Sequence, residues 1–125
     1  MKELQDYMNE AVTNFRRGTT EMLLLSMLRN GERFATDMAN ELAEKCVGTF
    51  DLQIVHVAQI MRRLRDAGFV GDRVQPSENG RLKFIYYHLL PLGEEYLREM
   101  TGLYRQFDRD ISAMLEDYTD QKEGL

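Results

Sequence analysis

Five hydrogen-bonding side chains, Gln53, His56, Gln59, Arg62 and Arg63, fall within one run of eleven residues. Glutamine carries a donor and an acceptor side by side and can take an adenine edge in two hydrogen bonds. The planar fork of arginine does the same for guanine, and either group can instead hold a phosphate oxygen. Arg73, Arg81 and Lys83 add cations further along. No other set of side chains gathers for chemistry. Cys46, the single cysteine, has no neighbour in sequence that would lower its pKa. His56 and His88 lie far apart, without cysteines or paired carboxylates at ligand spacing, so no metal is expected. There is no glycine-rich phosphate loop and no ordered nucleophile and base. The pairs Glu94-Glu95 and Glu116-Asp117 read as solvated helix faces. The chain is therefore expected to be no enzyme and to need no cofactor.

The elements that must carry the first five residues are legible. Ile54, Val57, Met61 and Leu64 recur at steps of three, four and three, one face of an α-helix. Asp51 can cap its start and Gly68 can end it. Gln53, His56, Gln59, Arg62, Arg63 and Asp66 fall mostly off that apolar stripe. Two β-rich runs follow, Val70 to Val74 and Leu82 to Leu89, separated by the turn residues Pro76 to Gly80. A helix running directly into a basic-edged hairpin predicts a winged helix-turn-helix. Its helix would enter the DNA major groove and its wing would touch the flanking backbone. The bland reading is a solvated polar helix face beside a solvated turn.

Upstream, Leu4, Met8, Ala11 and Phe15 predict a helix over residues 3–16 whose stripe needs a cover. Arg16 and Arg17 end it, where they suit either a DNA backbone or a helix C-terminus. Thr19 or Thr20 can cap the next helix, and Met22 to Leu28, apolar nearly all round, belongs in a core. Asn30-Gly31 stops that helix. Phe34, Met38, Leu42 and Cys46 at i+4 steps predict a third helix, with Ala35, Ala39 and Ala43 allowing close packing. Cys46 reads as buried. Val47 to Phe50 is a loop.

After the hairpin, Pro91 opens a helix predicted from about Leu92 to Tyr118. Leu97, Met100, Tyr104, Phe107, Ile111, Met114 and Tyr118 step three and four alternately, a heptad seam. The core helices are already committed to one another, so the seam predicts a symmetric homodimer. The alternative is a fold back onto the N-terminal helix. The polar end, residues 120–125, is expected to fray. Three regions result: an N-terminal helix on the dimer interface (1–17), the winged helix-turn-helix (18–90), and a dimerisation helix with a polar tail (91–125). The fold class is mainly α with a β-hairpin wing.

Charge supports that division. The chain has 125 residues and net charge −5. Residues 1–49 hold six basic and eight acidic side chains, residues 50–90 six and four, and residues 91–125 four and nine. Only the helix–wing unit is positive, so the acidic end must point away from DNA. The longest apolar run, Met22 to Leu28, is too short to cross a membrane, and the acidic, polar start is no signal peptide. One cysteine forbids an internal disulfide and fits a reducing compartment, so a cytoplasmic location is expected.

Taken in order, the segments Arg16–Leu28 (RRGTTEMLLLSML), the GERFATDMANELAE helix, the recognition-helix close MRRLRDAGFV and Tyr86–Leu97 (YYHLLPLGEEYL) resemble the PadR family of bacterial transcriptional regulators. The resemblance spans roughly residues 16–100, and it is carried by the order and spacing of all four segments rather than by one motif. It implies a homodimeric winged-helix repressor. Each recognition helix and wing would meet half of a palindromic operator, and the long last helix would form the dimer interface. Some relatives bind flat aromatic compounds at that interface. The Met- and aromatic-rich seam makes a small aromatic effector an expected partner here. Three departures stand out. Val57, Ala58 and Gln59 replace the family's Leu-Tyr-Pro run, Ala35 replaces a glycine, and Leu90 replaces a threonine. The absence of tryptophan excludes a stacking site built on one.

The expected DNA contacts are His56, Gln59 and Arg63 on base edges, Gln53 and Arg62 nearby, and Arg81 and Lys83 on the backbone. The competing reading is a winged-helix protein–protein module without DNA binding, an adaptor or antirepressor. It is favoured by the acidic total and the missing Leu-Tyr-Pro, and Val55 would mark its apolar patch.

Overall fold

The computed structural model describes residues 1–123, with side chains through Tyr118. In chain order the elements are α1 (Leu4–Arg16), α2 (Thr20–Met27) with a 3-10 turn at Leu28–Asn30, β1 (Arg33–Phe34), α3 (Ala35–Lys45), α4 (Ile54–Asp66), β2 (Val70–Pro76), β3 (Lys83–Leu89) and α5 (Pro91–Glu123). The strands form one antiparallel sheet in the order β1-β3-β2.

One core holds the middle of the chain together. Leu24 and Leu25 of α2, Met38 and Leu42 of α3, Val57, Met61 and Leu64 of α4, and Val70 and Tyr87 of the sheet are all buried. Each apolar side chain so buried contributes on the order of 1.5–3 kcal/mol of transfer free energy. The three-and-four spacing read in α4 is therefore the spacing of its inner face, apart from Ile54, which stays exposed. Burial of the Tyr87 ring pushes its hydroxyl pKa up.

Several local expectations change. Asp51 does not cap α4. The helix starts later, with Gln53 as its first flanking residue, and the Asp51 carboxylate accepts from the Gly48 N–H at 3.2 Å instead. Thr19 is the N-cap residue of α2, but no side chain caps that helix. The hydroxyls of Thr19 and Thr20 donate backwards, Thr19 to the Phe15 carbonyl at 2.7 Å and Thr20 to the Arg16 carbonyl at 2.9 Å, and so close α1. Phe34 is not helical. It pairs as β1 with Tyr86, so the hairpin gains a third strand too short to show periodicity. Cys46 is half-buried at the end of α3, and Ala43 is exposed.

Gly68 ends α4 as read. Its φ is +86°, the Gly68 N–H bonds the Arg65 carbonyl, and the Phe69 N–H bonds the Leu64 carbonyl, both at 3.0 Å. This paired closure leads straight into β2.

The last helix is longer than predicted and runs through Glu123. The expected fraying over residues 120–125 is thus replaced by helix through Glu123, while Gly124 and Leu125 lie outside the described residues. Its seam divides. Leu97 is only 7% exposed, in the chain's own core, and Met100 packs against that core. Tyr104, Phe107, Ile111, Met114 and Tyr118 are exposed. α1 buries no residue, and Leu4, Tyr7, Met8 and Phe15 are exposed too.

Candidate nucleic-acid interface

α4 enters the site already oriented. With Val57, Met61 and Leu64 turned inward, helical spacing puts Val55, Gln59, Arg62 and Asp66 on the opposite face. All four are exposed, as are Gln53 and His56. Gln53 stands at the N-terminal edge of the helix. His56 and Arg63 lie on the flank that faces the junction of α1 and α2, with Gln59 beside them.

Arg63 does not stand free. Its guanidinium is paired with the Glu21 carboxylate of α2, Nε at 3.2 Å and Nη2 closer. The second Glu21 oxygen accepts from the Tyr96 hydroxyl of α5 at 3.5 Å. The Tyr96 ring stacks on Phe69, centroids 4.2 Å apart. Burial, the Glu21 charge and this hydrogen bond raise the Tyr96 pKa. Glu21 escaped the sequence reading because an acid in a first helical turn is explained by the helix dipole alone. Arg62, by contrast, has no ion pair among the described residues.

The wing is tied to α4 by Arg65, which reaches Asp72 at 2.9 Å and Asp66 at 3.2 Å. The hydrogen bond to Asp72 leads the causes that raise its pKa. Arg73 also has a structural task. It grips Glu32 ahead of β1 at 2.7 and 3.2 Å and lies over the Tyr86 ring at 4.9 Å. That pairing raises the Arg73 pKa and lowers that of Glu32. Arg81 and Lys83 are exposed at the tip and base of the turn, without ion pairs among the described residues. The turn is built by Ser77 and Asn79, with the Arg81 N–H donating to the Asn79 side chain at 3.0 Å and Gly80 at φ +70°.

The structure thus brings Gln53, His56, Gln59, Arg62 and Arg63 onto one helix, with Arg81 and Lys83 on the adjoining wing. It does not bring His56 to His88, which packs against Gly71 in the sheet. Among the described residues no group of His, Cys, Asp and Glu could hold a metal ion. No helix there is long and apolar enough to cross a membrane.

No protein-family model and no curated protein sequence matches the chain. Solved structures do. The PadR-family transcriptional regulator of Eggerthella lenta superposes with a TM-score of 0.78 at 24% identity, over 90% of this chain and 95% of that one. The fold is that of the PadR regulators. A PadR-like transcriptional regulator from Bacillus cereus gives 0.69 at 18% identity, over 82% and 96%. PadR of Bacillus subtilis in complex with operator DNA gives 0.60 at 21% identity, over 65% of this chain and 45% of that one. In this fold α4 runs directly into the β2–β3 hairpin, which is its wing. The mainly α winged-helix class read from the sequence is the one found.

Proposed function

We propose that the chain is a homodimeric, sequence-specific DNA-binding transcriptional regulator, a cytoplasmic repressor acting at a palindromic operator. The observation that carries this reading is the outward face of α4. Gln59 and Arg62 are exposed there, opposite a helix face fixed by three buried residues, beside a wing with two cations, Arg81 and Lys83, that make no ion pair among the described residues. Those are the donors that read adenine and guanine edges and hold phosphates. The PadR of Bacillus subtilis, which shares the fold, was solved with operator DNA.

Dimerisation is supported by what α5 leaves uncovered. Phe107 is 58% exposed, and Tyr104, Ile111, Met114 and Tyr118 extend the same stripe. A continuous apolar face of that kind marks an interface. A two-fold pair would set its recognition helices about 34–36 Å apart, one turn of DNA. Between α1 and α5 lies an apolar trough of about 550 Å³, lined by Phe15, Met22, Leu103, Tyr104, Phe107 and Ile111. Its size suits a small aromatic effector. An effector bound better by one spacing of the half-sites than by the other would release DNA.

Fluorescence anisotropy tests the reading. The protein is titrated against the DNA upstream of its own gene and against a scrambled duplex, at two salt concentrations. Tight, salt-sensitive binding that prefers the native sequence is expected. Equal, weak binding to both duplexes would sink it.

The second reading, a winged-helix adaptor or antirepressor, has one observation in its favour. Val55, 52% exposed, stands on the outward face of α4 with Ile54 near it, and Val74, Leu82 and Ile85 are exposed on the wing. Substituting Val55 with serine would then abolish a protein complex, and the wild type would show no preference for the native duplex over the scrambled one.

A further inference from the structure

The flank of α4 that faces α1 and α2 closes a cleft of about 450 Å³. Its charged lining is Arg16, Arg17, Glu21 and Arg63, three guanidiniums against one carboxylate. Donor capacity there is unfilled. Arg16 Nη1 reaches the Asp51 carbonyl at 3.4 Å, but its Nε is buried without an acceptor. Buried donors in folded proteins ordinarily have a partner. Arg17 is exposed and makes no ion pair among the described residues. Among the described residues Arg63 pairs only with Glu21, and it is 65% exposed. Three of the carbonyls at the end of α1, which would repel an anion, are covered. Those of Thr13, Phe15 and Arg16 accept from the Arg17 N–H and the hydroxyls of Thr19 and Thr20.

We propose that this cleft seats one backbone phosphate of a DNA duplex, with Arg16, Arg17 and Arg63 as donors, and that Glu21 holds Arg63 in the free protein and yields it to that phosphate. The inference rests on the DNA-binding reading and adds to it a site off the outward face of α4. The arginine fork matches phosphate geometry as well as it matches the carboxylate it leaves. His56 and Gln59 line the same cleft from α4, so a phosphate held there brings them alongside the duplex. Tyr96 steadies Glu21 from α5, which places one end of the exchange on the proposed dimerisation helix.

The test is anisotropy with the full chain, native and scrambled duplexes, and salt varied fourfold. Arg17→Gln is expected to flatten the slope of log affinity against log salt by about 0.9 per half-site, and Glu21→Gln to steepen it by a similar amount. A slope change of that size makes the fourfold salt change worth about 3.5-fold in affinity. Both duplexes shift alike, because a phosphate carries no sequence information. In the Glu21→Gln, Arg63→Gln double variant the steepening disappears. Should Glu21→Gln unfold the chain by circular dichroism, Tyr96→Phe replaces it; it loses the hydroxyl on Glu21, keeps the Phe69 stack, and steepens the slope less. Slopes equal to wild type in Arg17→Gln and Glu21→Gln, or a flatter slope in Glu21→Gln, overturn the cleft and leave the DNA-binding reading standing. Failure of the wild type to bind either duplex at the lowest salt overturns both.

Discussion

Gly93 lies against the Phe69 carbonyl so closely that a Cβ on Gly93 would fall 1.9 Å from that oxygen. The same carbonyl accepts the Leu90 N–H at 3.1 Å, just before α5 begins. Phe69 follows the turn that ends α4, and Tyr96 stacks on its ring one helical turn further along α5. The angle at which the long helix leaves the domain is therefore set by a contact between two backbones, and only glycine allows it.

Gly93→Ala is expected to force α5 away from Phe69. The loss should be at least the 1–3 kcal/mol of ordinary overpacking, roughly, because the clash is with backbone that cannot rotate away. Thermal unfolding followed by circular dichroism measures it. A midpoint equal to wild type would show that the contact is not this tight.

On the proposed function, Arg62→Ala and Gln59→Ala should each cost about 1–3 kcal/mol in preference for the native duplex over a scrambled one, while the oligomeric state stays that of wild type. Arg63→Ala should weaken both duplexes alike, because Glu21 directs that guanidinium away from the outward face. Anisotropy on both duplexes separates the two behaviours. A loss confined to the native sequence in Arg63→Ala would return that residue to the base edges.

Phe107→Glu or Ile111→Glu places a charge on the uncovered stripe of α5. Either is expected to convert the proposed dimer to monomer without unfolding the winged helix, since neither residue belongs to its core. Sedimentation equilibrium reads the mass. A mass unchanged from a dimeric wild type would move the interface elsewhere on the chain.

The Glu32–Arg73 pair gives a pH dependence with a definite sign. The hydrogen bond to Arg73 holds the Glu32 carboxyl below its ordinary pKa. A carboxylate with a depressed folded pKa adds stability above its unfolded pKa and loses it as pH falls through the folded value. Wild type should therefore exceed Glu32→Gln slightly in melting temperature near neutral pH. The two should converge in acid, below the usual glutamate range. A constant gap across that range would assign the difference to packing.

Long, periodic segments were legible in the sequence. The buried stripe of α4, the stop at Gly68, the Asn79-Gly80 turn and the seam of α5 each follow from local spacing or from one residue's backbone freedom. With the inner face of α4 known, Gln59 and Arg62 had to lie outside it. The rest depended on contacts between distant residues. β1 has two residues and exists only because β3 offers it a partner. Thr19 could bond forwards or backwards, and the position of α1 decided it. Leu97 left the seam because it packs into the core of its own domain. Arg63 and Glu21 stand forty-two residues apart, and no periodicity announces such a pair. Local sequence determined which faces are apolar and where the turns fall. Tertiary structure alone decided which charges meet, because an ion pair is set by distance in space and leaves no period in the chain.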